Sequence, residues 1–83
     1  MAEKIYEITA PLMGTFYRSS TPGGPPLVEV GQKIKASDIV CVIESMKIFT
    51  ELRSECSGIV REILVENEEL VKKKQTLIVI EKE

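Results

Sequence analysis

The sequence predicts an all-β fold, a flattened sandwich or barrel built from two similar halves. Eight short stretches of strand-like composition alternate with turn signals, and no stretch shows a convincing helical period. The second half of the chain also repeats the apolar pattern of the first half at a constant offset of 37 residues. Two halves of the same pattern predict a sandwich with pseudo-two-fold symmetry.

The predicted strands follow one another at short intervals, as they do in sandwiches and small barrels. Short segments rich in Pro, Gly, Ser, Asn and charged residues separate them. Residues 65–74 have helix-forming composition, but this segment is too charged and too short to predict a helix. In chain order the predicted strands are Glu3–Ile8, Gly14–Tyr17, Leu27–Val30, Ile39–Glu44, Ile48–Leu52, Gly58–Ile63, a short strand near Leu70, and Thr76–Glu81.

The repeat locates one insertion in the first half of the chain. Residues 29–44 align with residues 66–81, whereas Gly14 matches Gly58 at an offset of 44, so the first half carries seven extra residues. The excess falls in residues 19–26, a Pro- and Gly-rich segment that is a loop by composition. The apolar positions that we predict to form the core are Val40, Val42, Ile43, Ile63, Leu77, Val79 and Ile80.

Length and composition exclude several classes of function. Eighty-three residues allow one small domain, and a net charge of −2 argues against a nucleic-acid or anionic-membrane surface. Cys41 and Cys56 do not have the spacing of metal ligands, and the chain has no histidine. Cys41 lies in an apolar strand and is predicted to be a buried thiol. No apolar run approaches the roughly 20 residues of a membrane span, so a cytosolic protein is the simplest inference.

The segment Val40–Leu52 is predicted to be the central hairpin of the domain. If Ser45 and Ile48 are its corner residues, Met46 and Lys47 form a two-residue loop. Hairpin twist favours primed turns in such loops, and these turns require positive φ at one or both central positions. Ordinary side chains there are strained by about 1–3 kcal/mol each, and strain of this kind is usually kept for function. The turn presents the amine of Lys47 outward as a handle for covalent attachment.

Residues 44–48, Glu-Ser-Met-Lys-Ile, resemble the attachment motif of biotinyl carrier domains, which most often reads Glu-Ala-Met-Lys-Met. Ser45 and Ile48 depart from that motif, and both replacements are small or volume-conserving. The resemblance extends from about Ile8 to Glu81. Residues 10–17 and 28–34 also look like the carrier subunit of bacterial-type acetyl-CoA carboxylase.

This resemblance implies a biotinyl-domain fold, with two four-stranded antiparallel sheets and pseudo-two-fold symmetry. It also implies biotin as the covalent cofactor, attached to Lys47 by a biotin protein ligase that reads Glu44, Ser45, Met46 and Ile48. An exposed lysine is protonated at neutral pH, so the ligase has to deprotonate it for attack on biotinyl-adenylate. Residues 19–26 correspond to a protruding thumb near the biotin, to which Thr21, Pro22 and Gly23 would belong.

The implied function is that of a carrier without catalytic residues of its own. Biotin on Lys47 would be carboxylated by a biotin carboxylase subunit and would deliver the carboxyl group to carboxyltransferase subunits, giving malonyl-CoA for fatty acid biosynthesis. Residues 1–83 would be the C-terminal part of a longer subunit, in the cytoplasm or the plastid stroma. The isolated domain is expected to be a monomer that binds neither nucleic acid nor membrane, and that holds no metal.

Several alternatives stay open at the level of sequence. A lipoyl domain shares the fold, but its motif has Asp before the lysine and typically Ala after it, unlike Met46 and Ile48. A plain β-sandwich interaction module would leave the strained tip and the proline-rich insertion without an explanation. Glu44 is equally well read as a recognition carboxylate or as a strand-end charge. Residues 19–26 could also be a tolerated surface insertion.

Overall fold

The protein is a two-sheet β-sandwich, seen in a computed structural model that describes residues 4–21 and 23–83. The described residues contain no helix, which confirms the all-β prediction and the absence of a helix over residues 65–74. The strands are β1 (Ile5–Thr9), β2 (Gly14–Tyr17), β3 (Lys33–Ile34), β4 (Ile39–Ser45), β5 (Ile48–Arg53), β6 (Gly58–Ile63), β7 (Leu70–Val71) and β8 (Thr76–Lys82).

The two sheets have equivalent strand orders. One sheet has the order β1-β8-β6-β3 and the other has the order β5-β4-β2-β7, with every pairing antiparallel. Replacing each strand by its counterpart in the other half of the chain, β1 by β5 and β2 by β6, converts one order into the other. The predicted architecture of two four-stranded antiparallel sheets with pseudo-two-fold symmetry is confirmed.

One predicted strand is wrong. Residues 27–30 do not form a strand, and the third strand is instead Lys33–Ile34. Pro25 and Pro26 precede the predicted segment and cannot donate backbone hydrogen bonds to a ladder, and Val28 is buried without belonging to a strand. The observed strand lies 37 residues before β7, which is the offset of the internal repeat, so the repeat predicts the position of this strand.

The inner faces of the two sheets form a single apolar core. Four of the predicted core residues, Val40, Ile43, Leu77 and Ile80, belong to this core, and Ile63 packs against it while partly exposed. Val42 is buried, as predicted, but lies outside the main core cluster, and the prediction for Val79 was wrong because it is only half-buried. Both lie opposite outward-facing residues in their sheets, Glu51 and Glu7. Cys41 is fully buried, as predicted, and burial raises the pKa of its thiol to about 12.

Two glycines allow neighbouring strands to approach closely at equivalent positions of the two sheets. A Cβ on Gly14 would collide with the carbonyl oxygen of Glu44, and a Cβ on Gly58 would collide with that of Glu81. Both contacts are related by the pseudo-two-fold symmetry. The close approach at Gly14 holds β2 against the end of β4, directly before the turn that carries Lys47.

Candidate functional site

The site is built on the turn between β4 and β5. Ser45 pairs with Ile48, and this register leaves Met46 and Lys47 as a two-residue loop. Both loop residues have positive φ, 52° for Met46 and 67° for Lys47. Positive φ at both central positions is the property of a type I′ turn, so the predicted primed turn is confirmed. Neither residue is Gly or Asn, and each therefore holds a conformation that is unfavourable for its side chain.

The side chains at this tip project into solvent. Met46 is 92% exposed, Lys47 is exposed, and the next two residues of β5, Ile48 and Phe49, are 68% and 62% exposed. The part of the chain that the structure describes offers no ion-pair partner to the Lys47 ammonium group. An amine held on a stiff hairpin and surrounded by exposed apolar side chains is accessible for acylation by another protein.

Glu44 has a defined partner on the outer face of its sheet. The hydroxyl of Tyr17 donates a hydrogen bond to Oε1 of Glu44 at 3.0 Å. This hydrogen bond is the main cause that raises the pKa of Tyr17, and the charge of Glu68 adds to it. The ring of Tyr17 also contacts that of Phe49, with centroids 6.3 Å apart and planes tilted by 43°. Glu44 is therefore fixed by its neighbours on the sheet, next to the tip.

A cavity of about 370 Å³ opens between this outer face and the inserted loop. The sheet contributes one wall, in which Val42 is 4% exposed, and the residues that follow β2 contribute the other. The lining is mixed in character, with aromatic, aliphatic, hydroxyl and carboxylate groups, as in many small-molecule sites. The lining residues are Tyr17, Ser19, Ser20, Thr21, Val42, Glu44, Phe49 and Glu68.

Of the three thumb residues named from the sequence, the structure describes two, and these lie in different places. Thr21 lines the cavity, whereas Gly23 is exposed, has a φ of 72° and does not line it. Pro22 lies outside the described residues. Ser45 and Ile48 form the base of the turn and do not line the cavity either.

The inserted loop is closed at its base and tied to the second half of the chain. The amide of Leu27 donates to the carbonyl oxygen of Arg18 at 2.6 Å, which brings the two ends of the loop together. The amide of Arg18 donates to Oδ1 of Asn67 at 2.8 Å. Within the loop, the hydroxyl of Ser19 and the amide of Gly24 both donate to the carbonyl oxygen of Thr21. The loop is thus a closed unit that is anchored outside itself by Asn67.

Sequence reasoning missed Tyr17, Phe49, Glu68 and Asn67 at this site. Tyr17 and Phe49 share an outer face with Glu44, and correct pairing of β2 with β4 would have placed them there. Glu68 and Asn67 come from a turn that is far from the loop in sequence, and nothing in their local sequence indicates that they lie at the site. The described residues contain no group of metal-ligating side chains, and no helix among them is long and apolar enough to cross a membrane.

Comparison with known proteins places this site in a family. The family model described as "Biotin-requiring enzyme" matches residues 6–81. Among curated relatives, the biotin carboxyl carrier protein of acetyl-CoA carboxylase from Nostoc is 45% identical over 92% of this chain and 42% of its own length. The carrier protein from Pseudomonas aeruginosa is 42% identical over 88% of this chain and 47% of its own. The chain thus spans less than half the length of these relatives.

Solved structures show the same fold. The urea carboxylase of Kluyveromyces lactis matches with a TM-score of 0.79 and 26% identity over 96% of this chain and 6% of that protein. A single-chain, multi-domain long-chain acyl-CoA carboxylase matches with a TM-score of 0.82 over the whole of this chain and 8% of that protein, at 19% identity. With the family model matching nearly all of its length, this chain belongs to the biotin-requiring enzyme family.

Proposed function

We propose that this chain is the biotinyl domain of the biotin carboxyl carrier component of an acetyl-CoA carboxylase, with biotin attached to Lys47. The observation that carries the proposal is the turn itself. It holds an exposed lysine and its exposed Met46 neighbour in left-handed conformations that packing does not require. Curated relatives that bear this carrier name, at 45% and 42% identity, support the same assignment.

The residues present fit a tethered biotin. The amine of Lys47 is free to form the amide, and the cavity beside Glu44 provides a mixed apolar and polar surface within reach of the arm. Glu44 lies three residues before Lys47, and three residues span at most about 10 Å even when fully extended. The lysine stem and the valeryl chain of biotin together span more than this distance.

The domain itself supplies position rather than chemistry. Bound biotin would hold a carboxyl group on a ring nitrogen, and no residue of this chain has to act as an acid or a base. The β4–β5 ladder keeps Lys47 at the end of a rigid hairpin, so the arm sweeps a limited volume around the tip. Tethering in this way raises the effective concentration of the cargo at the two partner sites, a biotin carboxylase and a carboxyltransferase.

The partners and the compartment follow from the same proposal. A biotin protein ligase would recognise Glu44, Ser45, Met46 and Ile48 around the lysine. The carboxyltransferase would produce malonyl-CoA for fatty acid biosynthesis. The domain would be located in the cytoplasm, or in the plastid stroma if its complex is like that of the chloroplastic Arabidopsis relative. The domain is proposed to be a monomer that acts within a larger, multi-subunit carboxylase.

Intact mass after incubation with a biotin ligase, ATP and biotin tests the attachment. We expect a single biotinyl group and retention on avidin, both lost in Lys47→Arg, which keeps the charge and the turn. Lys72→Arg is the matched control, because Lys72 is exposed in another turn. This variant keeps Lys47 and should be biotinylated to the same extent as the chain without substitutions. Biotin mapped to another lysine, or a lipoyl group acquired at Lys47 in its place, would contradict the proposal.

We also propose that residues 19–26 serve the tethered biotin as a thumb. The loop is closed at its base by the Leu27–Arg18 hydrogen bond, so Asn-Gly can replace residues 19–26 as a two-residue turn. Shortening the loop changes the free energy of unfolding by less than about 1 kcal/mol through the entropy of loop closure. Exposing part of Val42 lowers the free energy of unfolding by at most about 1–2 kcal/mol. The trimmed domain should therefore fold and be biotinylated.

Carboxyl transfer to acetyl-CoA, measured with the trimmed full-length carrier in the complete carboxylase, should fall. The control variant replaces residues 19–26 by eight Gly and Ser residues, which keeps the length and removes Thr21 and the prolines. Because the proposed thumb acts through Thr21 and its stiff prolines, this control should lose activity as well. Full activity of the trimmed carrier, or loss of its fold, would contradict the role of a thumb.

A further inference from the structure

The cavity beside the tip carries negative charge and no positive charge. Glu44 contributes one carboxylate from β4, and Glu68 contributes another from the turn before β7. The other lining groups are hydroxyls and apolar side chains. Arg18, at the base of the loop, directs its Nη2 to the carbonyl oxygen of Val28 and does not line this cavity. A ligand in the cavity therefore meets carboxylates without a compensating cation among the lining residues.

The fold fixes the carboxylate of Glu44 and the backbone of Glu68. Glu44 is fixed by the hydroxyl of Tyr17 at 3.0 Å. Glu68 has a φ of 71°, and its amide donates to the carbonyl oxygen of Phe16 at 2.6 Å, which ties it to β2 next to Tyr17. The residue equivalent to Glu68 in the first half of the repeat is Gly31, with a φ of 91°. A glutamate thus occupies a left-handed position where the other half has glycine, on the rim of the cavity.

We infer that this cavity accepts the neutral biotin ring and rejects the carboxylated ring, with Glu68 as a specificity-determining residue. A cyclic urea presents two N–H donors, which carboxylate and hydroxyl oxygens can accept. Carboxylation of a ring nitrogen replaces one donor by an anionic group. The anion then faces Glu44 and Glu68 in a partly enclosed site, where repulsion between like charges is stronger than in water. The loop therefore holds the empty carrier and releases the loaded one.

This inference rests on the proposed attachment of biotin to Lys47, and it changes the role that a thumb would have. A loop that merely shielded the cargo would hold both forms of the ring. A loop bordered by two carboxylates exposes the carboxyl group when it is present. The loaded arm is then free to enter a partner site, and the unloaded arm is kept close to the domain.

NMR of the ¹⁵N-labelled holo-domain, with biotin on Lys47 first verified by intact mass, tests the inference. The amide resonance of Thr21 should shift between the unmodified and the biotinylated domain. Addition of catalytic biotin carboxylase, ATP and bicarbonate should return it toward the unmodified position, because the docked fraction falls by about tenfold. In Glu68→Gln the carboxylated form should keep at least part of the biotin-induced shift.

Glu66→Gln is the matched control, because Glu66 lies in the same turn and does not line the cavity. In this variant the Thr21 resonance should respond to biotinylation and to carboxylation as it does in the domain without substitutions. A Thr21 shift that persists on carboxylation, or Glu68→Gln behaving like Glu66→Gln, would overturn the inference. So would a verified biotinyl domain in which Thr21 does not shift at all, and this outcome leaves the attachment to Lys47 intact. A mass without biotin refutes the attachment instead.

Discussion

Replacing Met46 by Gly tests whether the turn that carries Lys47 stores strain. Met46 has a φ of 52° and its side chain is 92% exposed, so the substitution removes almost no buried surface. Glycine adopts positive φ without a steric penalty and is favoured in primed hairpin turns. The substitution should therefore stabilise the fold while removing a side chain that the proposed ligase would contact.

The size of the stabilisation follows from two opposing effects. Left-handed backbone costs an ordinary L-residue about 1–2 kcal/mol, and Gly avoids this cost. Glycine also loses more conformational entropy on folding, which offsets about 0.5–1 kcal/mol. The free energy of unfolding should rise by about 0.5–1 kcal/mol. For a domain of this size, that corresponds to an increase in Tm of about 2–8 °C.

Urea denaturation and calorimetry measure the effect, with Ser37→Gly as a control for strain. Ser37 has a φ of 78°, is exposed, and uses only its backbone in its contacts with Ser54 and Arg53. Both variants should be stabilised, and only Met46→Gly should be biotinylated more slowly. If Ser37→Gly is stabilised and Met46→Gly is not, the turn is unstrained and the reasoning is wrong.

Two further predictions concern the anchor of the loop and the core. Asn67→Ala removes the acceptor for the amide of Arg18. Hydrogen exchange at that amide should accelerate, and the free energy of unfolding should fall by about 0.5–1.5 kcal/mol. Unchanged exchange would show that Asn67 is not the anchor of the loop. Burial raises the pKa of the Cys41 thiol from 9.0 to about 12, so the unfolded state loses this proton at a lower pH than the folded state. The free energy of unfolding should therefore fall between about pH 9 and pH 12, by up to about 1.4 kcal/mol per pH unit. In Cys41→Ala this fall should be shallower, and equal slopes would contradict the prediction.

The parts of the fold that depend on local pattern could be predicted from the sequence. The hairpin around Lys47 was placed correctly, because alternation on both sides of Met46 fixes the corner residues and leaves two for the loop. The conformation of that loop then follows from the twist of the strands. The two sheets follow from the repeat, since equal halves predict equivalent strand orders.

The surroundings of the lysine depend on distant residues and could not be read in the same way. Tyr17 and Glu44 are 27 residues apart, and Arg18 and Asn67 are 49 residues apart. The face to which Val42 points is set by its pairing with Tyr17 rather than by its hydrophobicity. An apolar residue in a strand was therefore assigned to the core, although it lines the cavity on the opposite face.

The remaining left-handed residues explain why the strain at the tip is informative. Ser37, Glu68 and Lys74 each donate a backbone hydrogen bond to a residue outside their own turn, namely to Ser54, Phe16 and Ala10. These bonds compensate for an unfavourable φ, because an unpaired amide would cost more than the strain. Within the described chain, the backbone of the tip residues 46 and 47 makes no such bond beyond the β4–β5 ladder. Neither packing nor hydrogen bonding requires Met and Lys at these positions, and the proposed recognition and modification of the tip would account for them.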